Sequence, residues 1–272
     1  MRYLLLSILF ISNLAYGFRI ESLFEQPRKV HHRSSQQYAP SDQNFDSSKG
    51  NHKIRNFSEA KKILDSDPVF NQETIYCGCK LTDIRHIDFT ACGYIPPKNS
   101  TRAGKVEREH VADASSFGMT FNEWRVGAPQ CKGKKGRKCA ETNPEFSRME
   151  ADLHNLWAED GLTNLLRSNK PQEAVDVSIY SFGKCDIKLS KHGFQARPEV
   201  RGTIARTIKY MDDSYPGHGL ISNKNQKLYD AWDKMYPATK LECDHHKAVM
   251  RHQGNPNKFT VLACQAAGLA YQ

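Results

Sequence analysis

Apolar residues recur at helical spacing through the second half of the chain. Phe146, Met149, Leu153 and Leu156 predict a helix over 145–156. Ile204, Ala205, Ile208 and Met211 share a face over 199–212, and Leu228, Ala231, Trp232 and Met235 share one over 223–235. Pro237 closes the last of these. Earlier, Ser58 is placed to cap a short helix through Ile63 and Leu64 that stops before Pro68. Thr74-Ile75-Tyr76 and Ile87-Asp88-Phe89 are β-like pieces. Lys105 to Val111 alternates loosely and predicts a strand carrying Glu109 and His110. Residues 114–147 form an irregular, basic, cysteine-bearing excursion.

The amino terminus follows a different pattern. Arg2 supplies a short positive region, Leu4 to Leu14 is almost wholly apolar, and Ala15-Tyr16-Gly17 offers small residues for cleavage. The run is shorter than the roughly 20 apolar residues of a membrane-spanning helix. We therefore expect a signal peptide at 1–17, export to the periplasm or beyond, and no membrane span. Residues 18–56 are rich in Ser, Gln, Asp, His and Arg and predict a flexible polar segment. Residues 57–272 then form one domain, expected to be monomeric, since the cysteines spread across it without any internal repeat.

Eight cysteines, all between Cys77 and Cys264, agree with export, because paired thiols persist in oxidising compartments. They allow about 105 connectivities. Cys77-Gly78-Cys79 is expected to bridge to two separate partners rather than bind metal, since no second close pair exists. Cys131 and Cys139 are the most plausible local bridge. The formal charge is +9, with a pI near 9.1, which favours polyanionic partners. Its distribution is more telling: Lys132, Lys134, Lys135, Arg137 and Lys138 put five cations into seven residues. A solvated loop is the alternative there.

Glu109 directly precedes His110, and Asn155 follows in Asp-Leu-His-Asn-Leu, in what reads as a helix. Hydrolysing a phosphodiester needs an activated water, charge neutralisation on the non-bridging oxygens and help for the leaving oxygen. An imidazole can take the proton, and a hard cation wants oxygen ligands. Adjacent strand residues face opposite ways, so Glu109 and His110 must sit at a strand end or bulge, or diverge around the phosphate.

The order Glu-Arg-Glu-His-Val at 107–111, Phe117-Gly118, Gly-Arg-Lys-Cys at 136–139 and Met-Glu-Ala-Asp-Leu-His-Asn-Leu at 149–156 resembles the bacterial endonuclease I family of periplasmic and secreted nucleases. The resemblance continues through Arg-Gly-Thr-Ile-Ala-Arg-Thr at 201–207 and Ala-Trp-Asp-Lys-Met-Tyr-Pro at 231–237, and ends with Glu242-Cys243 and Gln253-Gly254-Asn255. Two departures stand out: Val111-Ala112-Asp113-Ala114-Ser115 lacks the family's proline and tryptophan, and Leu162 replaces an acid in the family's Gly-Glu-Val-Asn run. Gly161, Asn164, Arg167, Ser168 and Asn169 keep their places in and after that run.

The resemblance implies an α+β fold: a mixed, mainly helical, disulfide-bonded single domain around a ββα-metal (His-Me finger) core. It implies a nonspecific endonuclease that cuts DNA, with RNA a further candidate, and leaves 5′-phosphate ends. His110 inherits the general-base role, and Arg137 the contact with the scissile phosphate. Glu109 and Asn155 inherit the ligand roles for one divalent ion, magnesium first, with calcium or manganese as alternatives. Lys132, Lys134, Lys135 and Lys138 become candidates for nucleic-acid binding. A secreted nucleic-acid-binding protein without catalysis is the competing expectation. Asp244-His245-His246 with His252 suggests a second metal site, against which a solvated helix face is preferred. His154, Glu107 and Asp152 are read as supporting groups.

Overall fold

A computed structural model describes residues 50–96 and 100–271. The expected signal peptide at 1–17 and most of the polar segment lie outside the described residues. The remainder of that segment, 50–56, is not a solvated lead. Asn51 is buried, its side chain donates to the carbonyls of Ile54 and Arg148, and its N–H donates to the Tyr215 hydroxyl. Ile54 packs with Ala60 and Leu64 in a core cluster. The folded domain therefore begins no later than Gly50.

Helix α1 spans Phe57–Ser66 and is capped by Asn56, whose side chain accepts from the Glu59 N–H at 3.0 Å. Ser58 lies inside the helix rather than at its cap. Two two-residue strands follow, β1 (Lys80–Leu81) and β2 (Ile87–Asp88). Residues 74–76 do not join a sheet. They form a turn against the ladder's edge, where the Ile75 N–H donates to the Ala158 carbonyl and the Tyr76 N–H to the Glu159 carboxylate.

The central element is an antiparallel ladder of β3 (Val106–His110) and β4 (Leu156–Asp160), registered from Val106 opposite Asp160 to His110 opposite Leu156. Between the strands, α2 (Ala114–Gly118), α3 (Asn122–Arg125), α4 (Arg137–Ala140) and α5 (Pro144–Glu150) punctuate the basic excursion. Helix α6 (Gly161–Arg167) leaves β4 at once, capped by Asp160, which accepts from the N–H groups of Leu162 and Thr163. Gly161 is required at this junction: a Cβ there would lie 2.8 Å from both the Arg102 carbonyl and the Glu107 carboxylate. Strand, excursion, strand and helix make the ββα unit.

The helix expected over 145–156 is two elements. It stops at Glu150; Asp152 then accepts from the His154 N–H and starts a tight turn over Leu153–Asn155 that feeds β4. Every residue of β4 is buried.

Beyond a short hairpin, β5 (Lys188–Leu189) with β6 (Phe194–Gln195), the chain is helical: α7 (Pro198–Ser214), α8 (Asn223–Met235), α9 (Lys240–His252) and α10 (Lys258–Ala266). The fully buried Arg206 ties three of these together, donating to Glu242 at 2.6 Å through Nε and to Asp233 at 3.1 Å. His245 and His246 are not on a solvated face. His245 stacks on Trp157 with centroids 3.8 Å apart and meets the Leu153 carbonyl, while His246 meets the Tyr271 carbonyl. Burial pushes their pKa values down to about 3 and about 4, so both are neutral core residues. Among the described residues no three His, Cys, Asp or Glu side chains come together as a metal cluster. None of the described helices is long and apolar enough to cross a membrane.

All eight cysteines are paired, as Cys77–Cys185, Cys79–Cys92, Cys131–Cys139 and Cys243–Cys264. Both expectations, separate partners for Cys77 and Cys79 and a local 131–139 bridge, hold. The Cys77–Cys185 bridge spans 108 residues and Cys131–Cys139 only 8. Loop-closure entropy puts a 100-residue bridge near 4.7 kcal/mol and one of 15 residues at about 3 kcal/mol. Replacing Cys77 and Cys185 together with serine should therefore lower the denaturation midpoint more than replacing Cys131 and Cys139. Equal midpoints in urea titrations would show that chain entropy does not govern these bridges.

Candidate active site

Strand alternation sorts β3 into two working faces. Glu107 and Glu109 face α6, where Asn164 and Arg167, three residues apart, share a side of the helix. Arg108 and His110 face the other way, Arg108 onto Asp65 of α1 and His110 onto Phe57 and Glu150. His110 is the last residue of the strand, which satisfies the requirement that Glu109 and His110 diverge at a strand end. A cavity of about 720 Å³ opens here, lined by Glu107, Glu109, His110, Arg137, Asn164 and Arg167 among others.

Glu109 is held from two sides. Tyr76 donates to its Oε1 at 2.6 Å and Arg167 Nη1 at 2.8 Å, while Gln172 donates to the Tyr76 hydroxyl at 2.9 Å. Burial pushes the Glu109 carboxyl up, and the Arg167 guanidinium and Tyr76 hydroxyl pull against that. Arg167 also donates to the carbonyls of His110 and Val111, which fixes the strand end. Both oxygen-directed bonds fall on Oε1, so Oε2 accepts none among the described residues. Asn164 donates through Nδ2 to Glu107 at 2.9 Å, and its Oδ1 likewise accepts no bond among the described residues. Glu107 is itself gripped by Arg102.

His110 Nε2 lies 2.8 Å from the Glu150 carbonyl. A carbonyl can only accept, so Nε2 carries the proton and Nδ1 keeps its lone pair. Burial, reinforced by Arg137, pushes the pKa of His110 down to about 3, and the ring is neutral. Arg137 pairs through Nε with the buried Glu150 carboxylate, and its Nη2 finds no hydrogen-bond partner among the described residues.

The structure thus brings Glu109, His110 and Arg137 together, but not Asn155. Asn155 is fully buried; its Oδ1 accepts from the Ala112 N–H at 2.7 Å, and its Nδ2 donates to the Ala112 carbonyl at 2.9 Å. Both ends of the amide are engaged in closing the excursion, and Asn155 is not among the residues that line the cavity. The asparagine that lines the cavity beside Glu109 is Asn164. The signal was present, since Asn164 keeps the last place of the Gly-Glu-Val-Asn run. Sequence reading also missed Tyr76, Arg167 and Glu150, whose roles need contacts across long separations. His154 turns away and meets the Asn255 carbonyl. Asp152 accepts from the hydroxyls of Tyr210 and Tyr215. Lys132, Lys134, Lys135 and Lys138 are exposed outside the cavity lining, and Lys138 pairs with Glu141.

One carboxylate oxygen and one amide oxygen facing a shared cavity suit a hard divalent ion that keeps several waters. The donor set fits. With a neutral histidine beside it, the arrangement has the groups that a ββα-type phosphodiesterase requires. The model of the endonuclease I family matches residues 24–264, and the chain belongs to that family. An extracellular deoxyribonuclease of Aeromonas hydrophila is 36% identical over 223 residues, covering 78% of this chain and 90% of the relative. A periplasmic deoxyribonuclease of the same organism is 34% identical over 211 residues, 75% of this chain and 83% of the relative. Endonuclease-1 of Buchnera aphidicola is 34% identical over 216 residues, 78% of this chain and 82% of the relative.

Asn155→Ala should act on stability. It leaves the Ala112 N–H and carbonyl unpaired in the interior, a loss of about 1–3 kcal/mol. Thermal melting should show the drop, with the magnesium requirement of any residual cleavage unchanged. A shifted metal requirement at wild-type stability would restore Asn155 as a ligand.

Proposed function

We propose that this chain is an exported endonuclease that hydrolyses DNA phosphodiester bonds with little sequence specificity, leaving 5′-phosphate ends. The observation that carries the reading is the meeting of three groups on one cavity. These are a neutral His110 with Nδ1 unprotonated, an Arg137 with an unpaired donor, and the uncommitted oxygens of Glu109 and Asn164. The names of the extracellular and periplasmic relatives, and eight paired cysteines, support export. RNA offers the same phosphodiester chemistry and is a further substrate on this reading.

Each side chain then has a role. His110 accepts a proton from the attacking water at Nδ1 while Glu150 holds the ring by Nε2. The negative phosphate beside the ring favours the imidazolium formed during transfer. Arg137 donates to the non-bridging oxygens as charge develops there. Glu109 and Asn164 hold one divalent ion, magnesium first, with Tyr76 and Arg167 fixing the carboxylate and Glu107 the amide. When bound, that ion neutralises phosphate charge and assists the leaving 3′ oxygen. Exposed Lys132, Lys134, Lys135 and Lys138 track the backbone beyond the cavity, which carries no base information.

Plasmid DNA incubated with oxidised mature protein should be degraded, and excess chelator should stop it. His110→Ala should lower single-turnover cleavage by about 10²–10⁴-fold while DNA binding persists. Glu109→Ala and Asn164→Ala should each raise the magnesium concentration needed for half-maximal rate. Binding without cleavage by the wild type under any divalent ion would make this a nucleic-acid-binding protein instead.

Neutralising the four lysines should weaken binding to all sequences alike and flatten the salt dependence by about 0.9 per lost contact on duplex DNA. Arg137→Ala should instead lower turnover more than affinity. An unchanged salt slope in the four-lysine variant would leave this loop a solvated surface.

A further inference from the structure

Helix α1 is outside the ββα unit, yet its first residue reaches the reacting groups. Phe57 is half-buried on the cavity wall. Its ring lies 4.9 Å from the His110 ring, centroid to centroid, at an interplanar angle of 45°. The Arg137 guanidinium carbon sits 5.2 Å from the same ring's centroid, and Lys61 Nζ, one helical turn along, 5.0 Å from it. Phe57 therefore touches the base and the phosphate-binding arginine at once.

We propose that Phe57 is a positioning residue for this reaction, holding the His110 imidazole and the Arg137 guanidinium in their working orientations. The inference rests on the nuclease reading of the same cavity. Each partner has one polar anchor, and both anchors are on Glu150: its carbonyl holds His110 Nε2, its carboxylate holds Arg137 Nε. A single hydrogen bond leaves a side chain free to pivot about it. The aromatic ring blocks that pivot, by ring contact for His110 and by its negative face for Arg137. Cations already occupy the ring, which argues against a platform for stacking nucleobases. The Asn56 cap and the packing of Ala60 and Leu64 in the core fix α1, so the ring has a rigid base.

The test uses the oxidised mature protein with saturating magnesium and duplex DNA. Single-turnover rate, DNA affinity and melting temperature are measured for wild type, Phe57→Leu, Phe57→Met and Phe57→Tyr. The first two fill the space without a ring, and Met covers the case in which Leu does not fold. A misplacement of about 1 Å can reduce rate by about 10²-fold, so Leu and Met should cleave about 10- to 100-fold more slowly with affinity within about threefold. Tyr, which keeps the ring, should recover most of the rate. In a His110→Ala background the Leu substitution should have a smaller further effect than in the wild type, because only the part that passes through Arg137 remains. A wild type that does not cleave defeats the nuclease reading itself. A cleaving wild type with Leu and Met equally fast overturns only the role of Phe57. Weakened affinity with an unchanged saturated rate also overturns it and makes the ring a nucleic-acid contact. Full additivity with His110→Ala does the same.

Discussion

The buried contact between Arg167 and Glu109 holds the rest of the site in place. Their side chains are 2% and 3% exposed, so two full charges have left water, a step that is unfavourable unless geometry and further hydrogen bonds compensate. Here they do: Tyr76 adds a bond to the carboxylate, and the guanidinium takes the His110 and Val111 carbonyls as well. The same guanidinium thus sets the position of α6, the end of β3 and the carboxylate between them. Asn164, one helical turn before Arg167, is carried to the cavity by that placement.

Oxidation reaches this contact through Tyr76. The 74–76 segment makes no ladder of its own, and Tyr76 is followed by Cys77, bridged to Cys185, and then by Cys79, bridged to Cys92. The crosslinks brace a turn that is also held by hydrogen bonds from Ile75 to the Ala158 carbonyl and from Tyr76 to the Glu159 carboxylate, and the turn aims the phenol at Glu109. Export chemistry and site geometry are therefore linked through covalent bonds rather than merely co-occurring. The 131–139 bridge plays the matching part on the other side, closing the basic loop from which Arg137 extends.

What could be read from the chain follows from how local each signal is. The α8 helix emerged with its observed ends, since its apolar face and Pro237 are contiguous in sequence. Strand β3 was visible within a residue at each end. Strand β4 was not, because both its faces are buried and the alternation that marks a strand disappears. Met149, Leu153 and Leu156 kept helical spacing across the break, so the run looked continuous. The two asparagines were exchanged for a related reason. Asn155 lies in the more distinctive motif, and that motif is distinctive partly because it buries polar groups: Asp152, His154 and Asn155 each bond across the fold. His245 and His246 misled in the same way, since burial of a neutral imidazole leaves no mark in the sequence.

The distribution of charge bears on how such a site can turn over. The chain carries +9, yet the guanidiniums lining the cavity are largely compensated: Arg102 by Glu107, Arg108 by Asp65, Arg137 by Glu150 and Arg167 by Glu109. Only Lys61 and Arg85 of the lining cations make no ion pair among the described residues. Unpaired guanidiniums throughout would hold substrate and product phosphates equally tightly, lowering KM without raising kcat. A guanidinium already bound to a buried carboxylate gives up less to a ground-state monoanion. It gains more as charge builds on the phosphoryl oxygens, so its contribution is weighted toward the transition state. Charge without an ion pair among the described residues sits instead on exposed side chains such as Lys132, Lys134 and Lys135, where solvent screens it. On the nuclease reading proposed above, holding the polymer and cutting it would fall to different sets of cations.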